Sequence, residues 1–600
     1  MCGILGHIGF NQDYNIDEIL GSISHRGPDN LNYFKSNNIF LGHSLLRIMD
    51  TSDNSIQPVK SDDEKIILIF NGTIYNFIDL KINHLQNKNF NSKTDTEVLL
   101  YLYVKYGLKF TRFIKGMFVI VIYDMNLNKL FIIRDEKGIK PLYYSHNNNN
   151  FYFSSEISTL LNFKDVQRNA TLSQESLDYF LRFRILYNQD KTLISNIFQL
   201  KPNNIISFDM NSNKFNIQEN TYSYSSTLKL NNLKFEELFQ NIIKDYIVCD
   251  HDRISTFLSG GLDSTLLTLA LKNFNPDKEL ITFSVFQNNP NFENKNLKRL
   301  VKEENLINYS IHENDINFFD DVISTIKAIN QPIFDASMVV HNKLCKLASE
   351  HYVKIIFTGN GGDETLHGYP GHLDSYLSNN IKNLNLIKYF NLLKIHKNGN
   401  RSYLNLIIKS IFQLLPLSFQ NNFKNIKSKL LYDKYFNSKP ISQCFYKKKY
   451  TDDNFSNVIQ NYFNEWGLNS YLDYEDKNSM SYGIECRLPY LSEDLIKYSH
   501  MNTNINFDNG LKTLIRNHSF VPKYISNQKE KFGFAAPLKS FLISDLSKFK
   551  DYVYDSNNIL NIKKDLFIKS LDNLDDNLEF KFRILSFIIW HEEFFKKKSF

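Results

Sequence analysis

The spacing of apolar and polar residues predicts two parts of the chain with different kinds of sheet. In the first part, GILGHIGF and IFLGHSLLRIMD have the pattern of strands, and a polar turn, HRGPDN, separates them. KGMFVIVIYDMNLNKLFIIR holds two more strand runs around a turn at 125 to 128. TDTEVLLYLYVKYG has the spacing of a helix. Strands with a few helices predict an α+β domain in which sheets are layered with helices.

In the second part, buried strand runs are separated by helices and long connections. The strand runs are RISTFL at 253 to 258, ELITFSVF at 279 to 286 and the start of VKIIFTGNGGDETLHGY at 353 to 369. This order predicts an α/β domain with a parallel sheet, whose ligands gather at the carboxyl ends of the strands. The segment from about 375 to 465 predicts helical additions; it matches no motif, and a solvated basic face and a partner surface both stay open for it.

The length predicts more than one domain. A domain typically has about 150 residues, and many are longer, so two or three domains are expected for 600 residues. The stretch from about 208 to 230 is rich in Asn and Ser and is the predicted linker. The boundary is therefore expected near 220, which gives domains 2–220 and 221–600.

Composition excludes several classes of protein. Hydrophobic residues make up 42% and charged residues 22%, and the net charge of +6 is too small for this length to argue for a nucleic-acid partner. The five cysteines are far apart without a CxxC pair, which argues against a zinc site or a disulfide framework and favours a reducing cytoplasm. No run approaches about 18 apolar residues, so no membrane insertion is expected.

The string FLSGGLDST joins the first strand of the second part to an apolar helix. Ser259, Gly260 and Gly261 form a turn without bulk, where backbone N–H groups and the helix N-terminus can bind a phosphate. Ser264 can add a hydroxyl donor, and Asp263 can hold a magnesium ion against the same phosphates. A tight turn is the alternative for a bare Gly-Gly pair, but the full S-G-G-x-D-S string in this context predicts a pyrophosphate site.

Cys2 is a second candidate centre because it stands next to the first residue. Removal of Met1 would leave a thiol and the α-amine on one residue. An α-amine with a pKa of about 7.7 to 8 can act as an internal general base at neutral pH. A lone cysteine near a terminus usually has no such function, so the motifs that follow Cys2 decide its interpretation.

Several motifs of the first part together resemble the N-terminal-nucleophile glutaminase domain of class II amidotransferases. The residues that carry this resemblance are Cys2-Gly3-Ile4, His25-Arg26-Gly27-Pro28-Asp29, Asn71-Gly72-Thr73-Ile74-Tyr75-Asn76, Thr94-Asp95-Thr96-Glu97 and Arg134-Asp135 with Gly138 and Pro141. With the SGGLDS string, the arrangement resembles the glutamine-hydrolysing asparagine synthetase family over most of the chain. The resemblance implies an N-terminal-nucleophile glutaminase fold followed by an ATP pyrophosphatase domain.

For the first domain, the resemblance implies that Cys2 attacks the glutamine side-chain amide, forms a thioester and releases ammonia. Asn71 and the backbone N–H of Gly72 would form the oxyanion hole. Asp95 would bind the α-ammonium group of glutamine.

Two positions depart from the family pattern around glutamine. Leu45 stands where the family usually has an arginine for the glutamine α-carboxylate, and Thr73 stands where an acidic residue is usual. Arg47 lies two residues beyond Leu45, so on a strand its side chain would emerge on the same face and could take the place of that arginine. A weakened or altered glutaminase activity is therefore an open alternative.

For the second domain, the resemblance implies cleavage of ATP between the α and β phosphates. Leu258, Val285 and Gly359 would contact the adenosine, Asp263 and Asp363 would carry magnesium, and Lys512 would balance negative charge at the reacting groups. The full set of expected ATP-binding residues is Leu258, Ser259, Gly260, Gly261, Asp263, Ser264, Val285, Thr358 and Gly359.

Further departures concern the acceptor. Asn360 stands at a catalytic position where the family usually has Asp or Glu as a candidate base for ammonia, so amide transfer could depend on another base such as Glu364. EDKNSMSYGIECRLPYLSEDL matches a family segment, except that Ser492 stands where Asp is common. Within it, Glu485 and Arg487 are either a buried structural pair or residues near the substrate. KEKFGFAAPL, 529 to 538, matches the family as well.

The resemblance predicts a ligase that uses ATP and Mg²⁺. Ammonia from glutamine would amidate a carboxylate through an acyl-AMP intermediate, with aspartate as the default acceptor. Another carboxylate, such as a uronic acid in surface-polysaccharide synthesis, is the alternative within enzymes. If the protein is not an enzyme, the alternative is a regulatory protein that binds nucleotide without turnover. A tRNA-modifying ATP pyrophosphatase is disfavoured by the modest net charge. Expected partners are small molecules, and a homodimer is compatible with the sequence.

Overall fold

The computed structural model describes residues 2–9, 15–36, 38–147, 150–184, 190–222, 224, 230, 233–274, 276–288, 292–397, 401–440, 449–464, 467–528, 536–557 and 561–599.

The first part of the chain forms two antiparallel sheets that pack face to face. Its described strands are β1 (Cys2–Ile8), β2 (Asn30–Ser36), β3 (Ile39–Leu45), β4 (Val59–Lys60), β5 (Ile66–Ile74), β6 (Gly116–Asp124), β7 (Lys129–Arg134), β8 (Tyr143–His146), β9 (Phe151–Ser154), β10 (Phe198–Gln199), β11 (Asn204–Asp209) and β12 (Lys214–Glu219). Their order is β10-β8-β9-β1-β3-β2 in one sheet and β12-β11-β7-β6-β5-β4 in the other. Alternate residues of β1, β5 and β6, such as Ile4, Ile67 and Val119, form the apolar layer between the sheets.

Helices cover the outer faces of these sheets. They are α1 (Ile16–Gly21), α2 (Phe77–His84), α3 (Asp95–Tyr106), α4 (Ile157–Leu160), α5 (Lys164–Arg168) and α6 (Gln174–Phe183). The buried residues of α3 pack with Leu68 and Phe70 of β5. The Ser173 side chain accepts a hydrogen bond from the backbone N–H of Ser176 and so caps α6. The predicted α+β architecture of sheets layered with helices is confirmed.

The second part of the chain contains a five-stranded parallel sheet within the described residues. Its strands are β13 (Arg253–Phe257), β14 (Glu279–Phe286), β15 (Ile307–His312), β16 (Ile355–Phe357) and β17 (Glu485–Arg487). Their order is β15-β14-β13-β16-β17, and each neighbouring pair is parallel. The three strands expected from the sequence are present, and β15 and β17 are additional. The α/β assignment is confirmed.

Many helices surround this sheet and extend from it. They are α7 (Phe235–Tyr246), α8 (Leu262–Phe274), α9 (Phe292–Glu303), α10 (Phe318–Ile329), α11 (Ser337–Glu350), α12 (Gly362–Thr365), α13 (Pro370–Lys382), α14 (Leu386–His396), α15 (Tyr403–Leu414), α16 (Leu417–Tyr435), α17 (Asn454–Asn464), α18 (Leu468–Met480), α19 (Glu493–Met501), α20 (Thr503–Asn506), α21 (Thr513–Arg516), α22 (Lys523–Ser526), α23 (Leu538–Ser544), α24 (Leu546–Asp555), α25 (Lys564–Ser570), α26 (Leu578–Trp590) and α27 (Lys596–Ser599). None of the described helices is long and apolar enough to cross a membrane.

One sequence expectation needs correction, and another falls partly outside the described residues. The predicted linker from 208 to 230 begins too early, because 214 to 219 form β12 and pair with β11 as part of the second antiparallel sheet. The alternation of polar and apolar residues in KFNIQE fits this half-exposed edge strand. Most of KEKFGFAAPL, from 529 to 535, lies outside the described residues.

The two parts of the chain pack against each other through α18 and β17. Arg26 of the first part forms ion pairs with Glu156 and with Asp476 of α18, at 2.7 Å each. Lys140 reaches the other oxygen of Asp476 at 2.8 Å, and Lys354 reaches Asp29 at 2.7 Å. The side chains that form this network are almost fully buried: Arg26, Glu156, Lys140 and Asp476. Buried ion pairs therefore join the two parts of the chain, each of which contains one of the candidate sites described below.

Candidate active sites

The loop after β13 has the open backbone that a phosphate site requires. Gly260 has φ of +81°, and a Cβ at this position would overlap the backbone carbonyl oxygen of Glu293. The Ser259 and Ser264 hydroxyls are 3.0 Å apart, and the N–H of Gly261 donates to Ser259 Oγ at 3.2 Å. α8 begins directly after this loop, so its positive N-terminal end lies beside it. The geometry is compatible with the phosphate-binding loop that the sequence predicts.

A second glycine-rich loop follows β16, the neighbour of β13 in the sheet. Lys512 joins the two loops, because its Nζ lies 2.5 Å from Asp263 Oδ2 and 2.6 Å from Asp363 Oδ1. Lys512 is 3% exposed. Burial opposes its charge, but the two carboxylates raise the pKa of Lys512 above its ordinary value. A permanent cation is therefore held between the two strand ends.

A cavity of about 400 Å³ lies between these loops and α18. Every residue that the sequence assigned to this site borders it. The set is Leu258, Ser259, Gly260, Gly261, Asp263, Ser264, Val285, Thr358, Gly359, Asn360, Asp363 and Lys512. The carboxyl ends of parallel strands meet at one edge of a sheet, which brings these separate segments together.

The two aspartates have the oxygen ligands that magnesium prefers. The Oδ1 atom of Asp263 is buried and has no hydrogen-bond partner within the described part of the chain. A hypothetical Cβ on Gly362 would lie 2.8 Å from this atom, so the backbone leaves the oxygen uncovered only because residue 362 is glycine. The donor set therefore fits a hard divalent cation bound together with phosphate.

Two other acidic residues near Asn360 have different surroundings. Glu364 does not border the cavity; its carboxylate accepts a hydrogen bond from the Tyr369 hydroxyl at 2.8 Å, and burial raises its pKa to about 7. Glu475, which the sequence reasoning did not consider, borders the cavity together with Asn360. The available signal was the spacing of Tyr471, Tyr474 and Glu475, which places them on one face of a helix.

The second candidate site surrounds Cys2 at the start of β1. The backbone nitrogen of Cys2 lies 3.1 Å from Asn71 Oδ1. The Nδ2 atom of Asn71 is buried without a hydrogen-bond partner among the described residues. Gly72 has φ of +156°, and a Cβ there would overlap the carbonyl oxygen of Met117. The site therefore has a free amide donor beside the thiol and a position that only glycine fits.

The environment of Cys2 favours the neutral thiol. Cys2 is 5% exposed, and burial raises the pKa of its thiol. A nucleophilic role then requires a base close by, because the thiolate is the reactive form. The expected base is the α-amine released by removal of Met1, a residue that lies outside the described residues.

A narrow cavity of about 30 Å³ connects the other predicted residues of this site. Cys2, Arg47, Gly72 and Asp95 border it, and Asn71 lies beside it through its contact with Cys2. Asp95 Oδ2 accepts the backbone N–H of Ile74 at 2.8 Å, and burial raises the pKa of Asp95 to about 6. A carboxylate and a guanidinium thus border the same cavity as the thiol.

The expected position of Arg47 on a strand is wrong, although the residue does border the cavity. β3 ends at Leu45, which lies opposite Cys2 in the register, and Arg47 belongs to the following loop. The backbone N–H of Arg47 donates to Asp29 at 2.8 Å, and its side chain pairs with the exposed Asp53 at 2.5 Å. This pairing holds the Arg47 guanidinium partly in solvent, so the strand argument does not set its direction.

Thr73 and Glu485 meet at the edge of the Cys2 cavity. The Thr73 hydroxyl donates to the Glu485 carboxylate at 3.1 Å, and Glu485 pairs with Arg487 at 2.5 Å. Burial alone would raise the pKa of Glu485, but Arg487 holds it at about 2. The pair is therefore fully buried, and Glu485 also borders the candidate glutamine site.

Comparison with known proteins gives the family. A model of the glutamine amidotransferase domain matches residues 1–223, and a model of asparagine synthase matches residues 234–569. The chain belongs to the asparagine synthase family. Asparagine synthetase (glutamine-hydrolyzing) 1 of Bacillus subtilis is 25% identical over 98% of this chain and 96% of its own length. A putative asparagine synthetase (glutamine-hydrolyzing) 2 of Methanocaldococcus jannaschii is 30% identical over 64% of this chain and 78% of its own length.

Among solved structures, a glutamine phosphoribosylpyrophosphate amidotransferase from B. subtilis, complexed with ADP and GMP, overlaps 46% of this chain and 65% of its own. The identity is 13% and the TM-score 0.28.

Membership of the asparagine synthase family makes the chain a ligase with a glutamine amidotransferase domain. In this member, the amidotransferase part and the synthase part share buried contacts near Cys2. The Arg26 Nε lies 3.4 Å from the backbone carbonyl oxygen of Cys2, and its Nη2 pairs with Asp476 of α18. α18 also borders the large cavity through Glu475 and Asn478. One helix therefore contacts the surroundings of both candidate sites.

Proposed function

We propose that this member of the asparagine synthase family hydrolyses glutamine at Cys2 and uses the ammonia to amidate a carboxylate. The carboxylate is activated as its AMP ester in the large cavity, and aspartate is the acceptor we favour. The observation that carries this proposal is the convergence of Asp263, Asp363 and Lys512 beside the phosphate-binding loop. The proposed cofactors are ATP and Mg²⁺.

In the glutaminase half, the geometry supports a separate role for each polar group. The sulfur of Cys2 attacks the side-chain carbonyl of glutamine and gives a thioester after ammonia leaves. The free Nδ2 of Asn71 and the N–H of Gly72 stabilise the oxyanion that forms. Asp95 binds the α-ammonium group, and Arg47 is the proposed partner of the α-carboxylate.

In the synthetase half, the loops bind ATP and Lys512 offsets the charge of the reacting groups. The substrate carboxylate attacks the α-phosphorus, and pyrophosphate leaves. Ser259, Gly260, Gly261 and Ser264 bind the phosphates through N–H and hydroxyl groups, and Thr358 and Gly359 form the other side of the cavity. Asp263 and Asp363 would hold magnesium, which would reduce the repulsion between phosphate oxygens.

The adenosine is proposed to lie near Leu258 and Val285, which border the apolar side of the cavity. We further propose that residues 2–220 form the amidotransferase domain and 221–600 the synthetase domain.

The free α-amine on Cys2 requires removal of Met1, so the intact mass of the purified protein should be lower than the encoded mass by one methionine. A mass that retains Met1 would remove the proposed base.

The proposed function is tested with free ammonia as the nitrogen donor, because ammonia bypasses the narrow glutamine cavity. Purified protein is incubated with ATP, Mg²⁺, an ammonium salt and aspartate, and pyrophosphate, AMP and asparagine are measured. The expected result is one AMP and one pyrophosphate per asparagine. Pyrophosphate release that is independent of aspartate would refute aspartate as the acceptor.

A second acceptor class is included in the same assay because of Asn360 and Ser492. Both residues depart from the family pattern: Asn360 borders the synthetase cavity, and Ser492 belongs to the matching segment from 475 to 495. A uronic acid is therefore tested in parallel with aspartate. Uronate-dependent pyrophosphate without an aspartate-dependent signal would support amidation of a sugar acid.

A further inference from the structure

The inference below rests on the proposed function and concerns the group that receives a proton during amide formation. Asn360 has no basic side chain, although it borders the cavity in which ammonia must meet the activated carboxylate. An attacking ammonia becomes positively charged and must lose a proton before the amide is complete. A carboxylate elsewhere on the cavity wall would have to take this role.

α18 presents four polar or aromatic residues to the cavity. Tyr471, Tyr474, Glu475 and Asn478 all border it, with the i, i+3, i+4 and i+7 spacing of one helix face. The nearby Asp476 points instead toward Arg26 and Lys140 of the amidotransferase part. The helix therefore directs a single carboxylate, that of Glu475, toward the cavity.

The Glu475 carboxylate is buried but not satisfied. Glu475 is 4% exposed, and neither of its oxygens has a hydrogen bond of normal geometry to any residue that the structure describes. The Thr358 hydroxyl and the Asn360 side chain are near enough to stabilise its charge. Buried carboxylates that lack a hydrogen bond of normal geometry are rare in folded proteins, so a ligand group is expected to complete the contacts of Glu475.

Glu293 borders the cavity beside Gly261, and the other acidic residues near the cavity are already engaged. Asp263 and Asp363 bind Lys512, and Asp335 accepts the Tyr471 hydroxyl at 3.0 Å. Glu364 binds the Tyr369 hydroxyl and does not border the cavity. These arrangements leave Glu475 as the carboxylate beside Asn360.

We propose that Glu475 supplies the carboxylate function that residue 360 lacks in this chain. The nitrogen lone pair of ammonia forms a bond to the acyl carbon of the acyl-AMP. Glu475 takes one proton from that nitrogen, the bond from carbon to the phosphate oxygen breaks, and AMP leaves with the bonding pair. The products are the amide, AMP and a protonated Glu475, which returns its proton to solvent.

The electrostatic surroundings suit a proton acceptor. Burial raises the pKa of Glu475 above its ordinary value, while Thr358, Asn360 and Lys140 oppose part of that rise. Asp476 adds to the rise, and the ligand atoms of His341 and Cys486 lie within 4.8 Å of the carboxylate. A proton affinity closer to neutral pH makes transfer from the attacking nitrogen more favourable.

The test separates the two half-reactions. Carboxylate-dependent exchange between pyrophosphate and ATP reports adenylation, and amide formation from an ammonium salt reports the second step. Glu475→Gln should retain the exchange within about threefold and lower the rate of amide formation by about 100-fold or more, the range expected for loss of a general base.

A rescue experiment tests the positional argument. The double variant Asn360→Glu with Glu475→Ala restores an acid at the usual family position, and it should form amide at least about tenfold faster than Glu475→Ala alone. Glu364→Gln is the matched control, because this glutamate is buried nearby but lies off the cavity. Selective loss of amide formation in Glu364→Gln, with normal turnover in Glu475→Gln, would overturn the proposal.

Two further outcomes also overturn it. Equal loss of both half-reactions in Glu475→Gln, together with a lower Tm, would show that Glu475 acts only in folding. A stoichiometric metal in the purified protein that disappears in Glu475→Gln would assign Glu475, His341 and Cys486 to a metal site instead. Absence of carboxylate-dependent exchange in the wild-type enzyme would refute the proposed function itself, and with it the role of Glu475.

Discussion

At the scale of single residues, Asn71 has one side-chain atom held by a backbone contact and another left for the proposed oxyanion hole. Its Oδ1 is fixed by the Cys2 nitrogen at 3.1 Å, which leaves the buried Nδ2 without a partner among described residues. An unsatisfied buried donor costs about 1–3 kcal/mol. Such a cost is tolerated where a ligand oxygen completes the hydrogen bond, and a thioester-forming site requires a donor of this kind.

Asn71→Ala should lower kcat for glutamine hydrolysis by about 100- to 1,000-fold, because it removes one donor to the oxyanion. Release of glutamate measures the effect. Amide formation from free ammonia should change little in the same variant, since the synthetase cavity is separate. A kcat within about twofold of wild type would exclude Asn71 from the oxyanion hole.

Asp95 gives the glutaminase half a specific pH dependence. Burial raises its pKa to about 6, so the carboxylate is ionised above this pH and becomes neutral below it. Only the ionised form attracts the α-ammonium of glutamine. A plot of log(kcat/KM) for glutamine against pH should therefore gain one additional unit of slope below about pH 6. Asp95→Asn should lose this additional step, and a variant that keeps it would assign the step to another group.

At the scale of elements, α18 contacts the surroundings of the two candidate sites through different side chains. Asp476 is almost fully buried between Arg26 and Lys140, whereas Glu475 borders the synthetase cavity. Burial opposes ionisation of Asp476, but the two cations hold its pKa below the ordinary value. Since Arg26 also approaches the Cys2 carbonyl oxygen, the position of this helix affects both sites.

Asp476→Asn should lower stability, because it leaves the buried Lys140 without its carboxylate and leaves Arg26 paired with Glu156 alone. The cost of breaking a buried ion network is about 3–5 kcal/mol, which corresponds to a fall in Tm of about 2–4 °C if the 600 residues unfold together. Thermal scans at one fixed rate measure the change. Glu303→Gln is the control, because its ion pair with Arg299 is exposed and should contribute little to stability. Equal Tm values for the two variants would contradict the assigned role of Asp476.

At the scale of the whole molecule, each candidate site is formed by segments that are far apart in the chain. Thr73 and Glu485 meet beside Cys2, although 412 residues separate them in the chain. The apolar cluster that contains Leu5 and Phe40 of the first part continues to Phe318 and Trp590 of the second. The amidotransferase and synthase parts thus share a core, while their cavities remain distinct.

Cys2→Ala should abolish amide formation from glutamine and retain formation from ammonia within about twofold. The reason is that Cys2 borders the narrow cavity and not the cavity around Lys512. Parallel assays with the two nitrogen donors give the comparison. Loss of the ammonia-dependent reaction as well would mean that Cys2 supports the synthetase site structurally.

Local patterns in the sequence predicted much of the ATP side of the fold. A strand, a small-residue loop and a helix start follow from neighbouring residues, and parallel topology then brings the strand ends together. For this reason the SGGLDS loop and the loop after β16 are predicted to lie at one site, whereas Lys512 is assigned to that site only through the resemblance to the family pattern. β17 has three residues and is too short for a reliable periodic signal in the sequence. It is recognised as a strand only through its pairing with β16.

The sequence by itself determined the classes of fold and the chemical types at both sites, because motifs and periodicity are local properties. Only the tertiary structure decided which distant side chains complete those sites. It ended β3 before Arg47, placed Glu485 beside Cys2 and directed Glu475 toward Asn360. These outcomes depend on helix orientation and on packing between chain segments hundreds of residues apart, which no local pattern contains.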